Sequence, residues 1–246
     1  MKNETLNLTV GGHPMDCYQA VPDGTEKVPA VLIIQEIFGV NREIKRIADL
    51  VAKSGYIGFA PNVFHRTHPN LNLGYTQDEM PVAREAATKS TMEGLDADLH
   101  ASIDHLTKHP RCNGSIGAWG FCYGGTIAFL LATYPQVKAA VSFYGGQIAK
   151  SAAPHRPPMI DFAKDVKAPI FFAFGGQDQS ITAEDVANIK KALDENHKKY
   201  VLEVYPNEGH GFFRHGINGE STAGARDVWP KVQAFLKENL GAPVAV

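Results

Sequence analysis

The stretch Gly117-Ala-Trp-Gly-Phe-Cys-Tyr-Gly-Gly-Thr-Ile-Ala128 indicates a strand that breaks sharply into a helix, with a single cysteine at the break. Gly120, Cys122 and Gly124 form a Gly-x-Cys-x-Gly pattern, which is the Gly-x-Ser-x-Gly nucleophile elbow with sulfur in place of oxygen. Such an elbow exposes its central side chain at the end of a sheet strand. The stretch therefore predicts an α/β fold with a reactive thiol at the carboxyl end of a strand.

Apolar runs and helical periodicity alternate on both sides of this elbow. After an amino-terminal hairpin (5–10 and 15–21), strands are predicted at 30–34, 55–60, 115–119, 139–143, 170–174 and 200–205. Helices are predicted at 42–53, 95–108, from 123 onwards, at 183–196 and at 225–238. This alternation predicts a single α/β domain over residues 1–246, with a mostly parallel central sheet and helices on both faces.

Composition excludes several classes of partner. The 246 residues carry 24 basic and 26 acidic side chains without a basic run, which argues against binding to nucleic acid or to an anionic membrane. No apolar segment approaches the roughly 20 residues of a membrane span, and the amino terminus has no apolar signal core. Three cysteines without metal-type spacing fit a reduced compartment. We therefore expect a cytoplasmic protein with no membrane or nucleic-acid partner.

Reactive side chains follow the predicted strands, where ligands of open α/β sheets bind. They are Glu36, Cys122, Tyr144, Asp178 and His210. Taken singly, the cysteine is an ordinary small buried residue, the aspartate a helix cap and the histidine a loop residue. The chain order nucleophile, acid, histidine is that of α/β-hydrolases, in which a thiol can attack, an imidazole takes its proton and a carboxylate orients the ring. Together they predict a catalytic triad.

An oxyanion hole is expected beside this triad. The backbone N–H of Tyr123, just after the nucleophile, is one predicted donor, and that of Ile37, after the strand at 30–34, is the other. Glu36 is a second carboxylate near the predicted thiol. From the sequence alone, a solvated loop acid and a member of the site are equally good interpretations of it.

Two segments, 62–91 and 145–167, do not fit the alternation of strands and helices and are predicted as long loops bordering the active site.

His65 with His68, and His105 with His109, are the histidine pairs that could be considered for a metal. Neither pair has nearby carboxylate or thiolate ligands, so we expect surface residues and no metal. The glycines around Cys122 lack the dinucleotide spacing and the P-loop lysine, so no cofactor is expected.

Five short motifs together resemble the dienelactone hydrolase family over nearly the whole chain. They lie at 35–39 (Gln-Glu-Ile-Phe-Gly), 120–124 (Gly-Phe-Cys-Tyr-Gly), 143–145 (Phe-Tyr-Gly), 175–178 (Gly-Gly-Gln-Asp) and 209–214 (Gly-His-Gly-Phe-Phe-Arg). The resemblance implies an α/β-hydrolase fold with Cys122 as nucleophile, His210 as base and Asp178 as its orienting acid. It also implies that Glu36 contacts the resting thiol and helps to activate it when substrate binds.

The resemblance further suggests which residues bind substrate. Arg214 matches the family arginine that holds a substrate carboxylate, and Phe38 and Tyr144 are placed among the substrate contacts. Arg84 and Tyr75 are stand-ins for an arginine and a tyrosine of dienelactone-cleaving members, because the segment 62–91 does not align with the part that supplies them.

A second departure from the family lies directly after the catalytic histidine. Gly211 stands where a hydroxyl residue commonly follows that histidine, so one polar contact of the family is expected to be absent.

A thiol nucleophile restricts the substrates. In the tetrahedral intermediate the thiolate competes with the leaving group of the substrate. Alkoxide and amide nitrogen leave less readily than thiolate, so attack on ordinary esters and amides tends to reverse. Enolate and phenolate leave readily, so attack on enol lactones and aryl esters goes forward. We therefore expect a cofactor-free carboxylic ester hydrolase that cleaves an enol lactone or related activated ester, bearing a carboxylate if Arg214 faces the cleft. The alternatives are a different activated ester of xenobiotic or secondary metabolism, and a thiol-based redox or ligand sensor on a hydrolase scaffold. A monomer or weak homodimer is expected.

Overall fold

The computed structural model describes residues 1–151, 157–215 and 220–241. Its chain divides into two compact units, Met1–Gly117 and Ala118–Gly241. The prediction of a single domain over 1–246 remains a prediction. Within the described ranges, no helix is both long enough and apolar enough to cross a membrane.

The first unit contains a sheet with the strand order β1-β2-β4-β3. Its elements are β1 (Lys2–Val10), β2 (His13–Val21), β3 (Val28–Ile34), α1 (Arg42–Lys53), β4 (Ile57–Pro61), a 3₁₀ segment (Gln77–Glu79), α2 (Met80–Lys89) and α3 (Met92–Lys108). The hairpin partners β1 and β2 are antiparallel, as are β2 and β4, whereas β3 and β4 are parallel. Every residue of β3 is buried, as expected of a strand that is covered on both faces.

Neighbouring residues of β4 identify the helices on the two faces of this sheet. A Cβ at Gly58 would lie 2.5 Å from the carbonyl oxygen of Ala48, so the backbone of α1 packs directly on this glycine. The ring of Phe59 lies 4.8 Å from that of His105 in α3. Since successive strand residues point to opposite faces, α1 and α3 cover opposite sides of the sheet.

The second unit repeats this layering with parallel strands. Its elements are the end of β5 (Cys112–Phe121, which begins in the first unit), α4 (Tyr123–Leu131), β6 (Val137–Phe143), a 3₁₀ segment (Met159–Asp165), β7 (Ile170–Gly175), α5 (Ala183–Glu195), β8 (Tyr200–Tyr205) and α6 (Ala223–Leu240). Strand β7 pairs in parallel with both β6 and β8. On β7, Phe171 contacts Phe235 of α6 and Phe172 contacts Phe129 of α4, so these helices also lie on opposite faces.

The predicted α/β class, with helices on both faces of the sheet, is confirmed. The pairings of β3 with β4, β6 with β7 and β7 with β8 are parallel, whereas the two pairings of β2 in the first unit are antiparallel. The segment 62–91 differs from its prediction, because its second half forms helix α2 and is not a loop. The segment 145–167 includes a 3₁₀ turn at Met159–Asp165, and its residues 152–156 lie outside the described ranges.

Candidate active site

Cys122 lies at the junction of β5 and α4 in a backbone conformation that L-residues rarely adopt, with φ 54° and ψ −111°. The glycines around it make the turn possible. A Cβ at Gly120 would overlap the carbonyl oxygen of Gly124, and a Cβ at Gly125 would overlap that of Phe143 on β6. The pattern noted in the sequence is therefore a steric requirement of a strained elbow.

The elbow is fixed by backbone hydrogen bonds on both sides of the thiol. The N–H of Cys122 donates to the carbonyl of Phe143 at 3.0 Å, and its own carbonyl accepts the N–H of Thr126 at 3.1 Å. Tyr123 is the first residue of α4, and the N–H groups of a first helical turn point out of the helix toward its amino-terminal end. The predicted oxyanion donor thus belongs to the opening turn of a helix that begins directly after the thiol.

Asp178 follows β7 in a loop that packs backbone to backbone against the loop after β8. A Cβ at Gly175 would lie 2.5 Å from the carbonyl oxygen of Glu208, and a Cβ at Gly176 would lie 2.8 Å from Cα of Pro206. The N–H of Gln177 donates to that same Glu208 carbonyl at 2.8 Å. Two glycines therefore allow the loop that carries the acid to approach the loop that carries the histidine.

The carboxylate of Asp178 is fully buried and binds the imidazole of His210. Its Oδ2 lies 2.7 Å from Nδ1 of the ring, and its Oδ1 accepts the N–H groups of Ser180 at 2.8 Å and Ile181 at 3.3 Å. Burial alone would raise the pKa of Asp178, but these hydrogen bonds and the charge of His210 outweigh it and lower that pKa. The acid is therefore ionised and oriented toward the ring.

His210 connects the acid to the thiol. Burial opposes its protonation, but hydrogen bonds to Asp178 and Cys122, together with their charges, raise the pKa of His210 to about 10. The three predicted triad residues are thus connected in series: Asp178 contacts the imidazole of His210, and that imidazole contacts the sulfur of Cys122. This arrangement can move a proton between sulfur and Nε2 while the carboxylate stabilises the imidazolium.

Aromatic rings pack beside the imidazole. Tyr144, fully buried with φ 40°, has its ring centroid 5.1 Å from that of His210 in an edge-on arrangement, and Phe212 lies 5.7 Å from Tyr144. The N–H of Tyr144 donates to the carbonyl of Ala173 on β7 at 2.8 Å. Tyr144, predicted as a substrate contact, therefore lies against the imidazole of His210.

Arg214 ends a turn that starts directly after His210. Its N–H donates to the carbonyl of Gly211 at 3.0 Å, and its side chain folds back over the same glycine. Gly211 has φ 75°, so this position combines a left-handed backbone with close contact to a side chain. The second departure from the family pattern therefore lies next to the predicted carboxylate-binding arginine.

Glu36, Ile37 and Phe38 follow β3 in the first unit. Glu36 is only 2% exposed, so it is not a solvated loop acid. The turn is closed by Gly39, where φ is 82° and a Cβ would overlap the carbonyl oxygen of Leu71. These residues form one ordered loop, with Ile37 partly exposed in it.

Tyr75 and Arg84 differ in their surroundings. The ring of Tyr75 packs edge-on against Phe38 at 4.5 Å, and its hydroxyl donates to Oδ1 of Asn41 at 3.4 Å. Arg84 lies on α2 and is exposed. Tyr75 is thus held by the loop that carries Glu36, whereas Arg84 lies at the surface of a helix.

One histidine prediction is wrong. The side chain of His65 does not lie at the surface but is fully buried, with Nε2 3.0 Å from Oδ1 of Asp98 and Nδ1 3.1 Å from the carbonyl of Pro14. Arg66 donates to the other oxygen of Asp98 at 2.8 Å. Among the described residues, no group of three or more His, Cys, Asp or Glu side chains could hold a metal ion.

Sequence reasoning missed Glu208, which anchors the histidine loop. Its Oε1 accepts the N–H of Gly224 at 2.7 Å, in the first turn of α6, where a carboxylate is favoured by the helix dipole. Little in the sequence indicated this role, because Glu208 is a single acidic residue two positions before His210 and belongs to no recognised motif.

Comparison with known proteins places the chain in a family. Residues 15–240 match the model of the dienelactone hydrolase family. The chain belongs to this family. A candidate carboxymethylenebutenolidase of Synechocystis sp. is 34% identical over 238 residues, covering 95% of this chain and 94% of its own. As a dienelactone hydrolase family member, the protein is an enzyme that hydrolyses small-molecule esters or lactones.

Two further relatives extend the comparison. The crystal structure of a candidate dienelactone hydrolase from Klebsiella pneumoniae superimposes with a TM-score of 0.85 at 28% identity, covering 96% of this chain and 98% of the other. A Bradyrhizobium protein described as a candidate 2-oxo-3-(5-oxofuran-2-ylidene)propanoate lactonase is 26% identical, covering 96% of this chain and 94% of its own. The predicted family and α/β-hydrolase fold are therefore confirmed.

Proposed function

We propose that the protein cleaves carboxylate-bearing enol lactones, or closely related activated esters, through a thioester on Cys122. The observation that carries this proposal is the chain of contacts in the second unit: the 2.7 Å pair of Asp178 and His210, and the interaction of that imidazole with the thiol. The names of the relatives from Synechocystis and Bradyrhizobium describe the same class of substrate, a butenolide with an exocyclic double bond and an acid group.

The first half-reaction forms the acyl-enzyme. His210 takes the proton of the Cys122 thiol, the thiolate attacks the lactone carbonyl carbon, and the carbonyl oxygen becomes an oxyanion that accepts the N–H of Tyr123. The tetrahedral intermediate then collapses: the bond between the carbonyl carbon and the ring oxygen breaks, and the leaving oxygen becomes an enolate that stays attached to the acyl chain. The enol oxygen or carbon takes a proton from the imidazolium, and the acyl group remains on sulfur as a thioester. The N–H of Ile37 stays our sequence-based prediction for a second oxyanion donor.

The second half-reaction regenerates the thiol. His210 takes a proton from water, the resulting hydroxide attacks the thioester carbonyl, and the C–S bond breaks. Sulfur departs as thiolate and recovers the proton from the imidazolium. No redox partner or cofactor is needed for this balance. All three cysteines are free in the structure, which suits a reducing compartment such as the cytoplasm.

A series of substrates with graded leaving groups tests the proposal. Enol lactones and aryl esters should be turned over, whereas an anilide or an ethyl ester with the same acyl group should not, because thiolate is expelled in preference to amide or alkoxide. Steady-state rates for such a matched series, with Cys122→Ala as the blank, measure this directly. Efficient cleavage of the anilide would contradict the leaving-group argument and the assignment of activated esters and lactones as the substrate class.

Glu36 receives a separate test, because its proposed role comes from the family resemblance. If its carboxylate restrains the resting thiol and assists proton transfer when substrate binds, Glu36→Gln should speed alkylation of Cys122 near neutral pH and slow lactone turnover. Both rates are measured against pH for the variant and for Glu26→Gln, in which an exposed acid of the same unit is neutralised. Unchanged rates in both assays would remove Glu36 from the mechanism.

A further inference from the structure

The first turn of α6 holds the loop of His210 on both sides of the histidine. Oε1 of Glu208 accepts the N–H of Gly224 at 2.7 Å, and the hydroxyl of Thr222, the N-cap of α6, donates to the carbonyl of Phe212 at 3.2 Å. Glu208 lies two residues before the histidine and Phe212 two residues after it. The imidazole is thus carried by a short stretch whose two ends are bonded to one helix.

The backbone of Glu208 also contacts the loop that carries Asp178. Its carbonyl accepts the N–H of Gln177, the residue directly before the acid, at 2.8 Å. Its N–H donates at 3.1 Å to the carbonyl of Tyr205, the last residue of β8. Glu208 therefore joins the loop of the acid, the loop of the imidazole and the start of α6.

Gly224 lets the Glu208 side chain reach the helix. A Cβ at Gly224 would lie 2.6 Å from Cγ, 2.8 Å from Oε1 and 2.9 Å from Cδ of Glu208, and all three separations are shorter than a Cβ tolerates. The carboxylate accepts an N–H that the first helical turn leaves without an intrahelical partner, at the positive end of the helix dipole. Hydrogen bonding, charge and close packing therefore all hold this contact.

We propose that Glu208 is a positioning residue for the reaction, because its bond to α6 holds the imidazole of His210 against the carboxylate of Asp178. The inference rests on the proposed function, in which His210 exchanges a proton with Cys122. That exchange depends on the 2.7 Å contact between Asp178 and Nδ1 of the ring. A misplacement of about 1 Å can cost about 10²-fold in rate, and Glu208 contacts the loops of both partners.

The test compares Glu208→Ala, which removes the carboxylate, with Glu208→Gln, which keeps an oxygen to accept the N–H of Gly224. Turnover of an aryl ester gives kcat and KM, with Cys122→Ala as the blank. NMR titration of the imidazole gives the pKa of His210 without any substrate.

We expect Glu208→Ala to lower kcat about 10- to 100-fold with little change in KM, because the residue acts on the imidazole and not on the substrate. Burial lowers the pKa of His210, and the bonds to Asp178 and Cys122 raise it to about 10, so a weaker bond to Asp178 should lower it. Glu208→Gln should keep kcat and this pKa near their wild-type values.

Asp185→Ala is the matched control for loss of a carboxylate at a helix start. Oδ2 of Asp185 accepts the N–H of Thr182 at 2.8 Å at the start of α5, in the same unit. Like Glu208→Ala, this control should lower the midpoint of thermal unfolding. It should leave kcat and the pKa of His210 unchanged.

Gly224→Ala tests the same contact with Glu208 still present. The added Cβ would displace the Glu208 side chain from the helix, although alanine itself is favoured over glycine in a helix. We expect kcat and the pKa of His210 to fall as in Glu208→Ala, and the double variant to be no slower than Glu208→Ala alone.

Each result assigns a failure to one statement. If the wild type cleaves no ester, the proposed function is wrong and the role of Glu208 in turnover is overturned with it, whereas the titration still reports on the contact of His210 with Asp178. If the wild type is active and either Glu208→Ala or Gly224→Ala keeps the wild-type kcat and pKa of His210, the positioning role alone is overturned. A loss of kcat in Asp185→Ala as large as that in Glu208→Ala would also overturn it.

Discussion

Cys122→Ala should lose ester and lactone turnover by on the order of 10⁶-fold while the fold remains intact, the scale seen when a nucleophile is removed from a working triad. Alanine keeps the Cβ of the elbow and removes only sulfur, so the positive φ at this position is strained no further than in the wild type. Turnover of an aryl ester is followed with time, and thermal unfolding of the same preparation reports on the fold.

Cys112→Ala is the matched control for the nucleophile. Cys112 is also a free cysteine, but it is buried at the start of β5, and burial raises the pKa of its thiol. This substitution should leave turnover near that of the wild type and should not abolish rapid alkylation. If Cys122→Ala turned over substrate like the wild type, both the thioester mechanism and the hydrolytic role of the elbow would be wrong.

The alternation of strands and helices was predictable because most elements carry their own signal. The fully buried β3 appears as an unbroken apolar run, and α1 buries a regular stripe of apolar residues. Helix α2 was missed because its buried residues are only Ala83 and Ala86, too small to produce clear hydrophobic periodicity. Local patterns thus indicate elements that contribute large side chains to a core.

In the candidate site, too, some features could be predicted from the sequence and others needed the structure. The order of Cys122, Asp178 and His210 was visible because each follows a strand, and parallel strands bring their carboxyl ends to one edge. The buried pair of His65 and Asp98 was not visible, since its partners are 33 residues apart and neither neighbours a recognisable motif. The fold of the Arg214 side chain onto Gly211 also needed coordinates, because a sequence gives the position of a residue and not its rotamer.

Asp178→Asn should lower kcat by on the order of 10⁴-fold, the scale seen for the same substitution in a Ser-His-Asp triad. The carboxylate accepts the Nδ1 proton of His210, leaving Nε2 to exchange a proton with sulfur. An asparagine amide that donates to Nδ1 would place the ring proton on Nε2, and the imidazole could not then take the thiol proton. The pKa of His210, raised to about 10 partly by Asp178, should fall at the same time.

The pH dependence of stability gives this prediction a second measurement. Because the pKa of His210 in the folded protein lies above its ordinary value of 6.5, its protonation stabilises the fold fully below pH 6.5, and this contribution is lost as pH rises toward about 10. Between pH 6.5 and about 10, the free energy of unfolding should therefore fall less steeply in Asp178→Asn than in the wild type. Denaturant unfolding from pH 6 to 10 measures it, with Asp194→Asn, an exposed acid paired with Lys190, as control. If Asp178→Asn kept the wild-type kcat and the wild-type dependence of stability on pH, the Asp178 carboxylate would neither raise the pKa of His210 nor orient its ring.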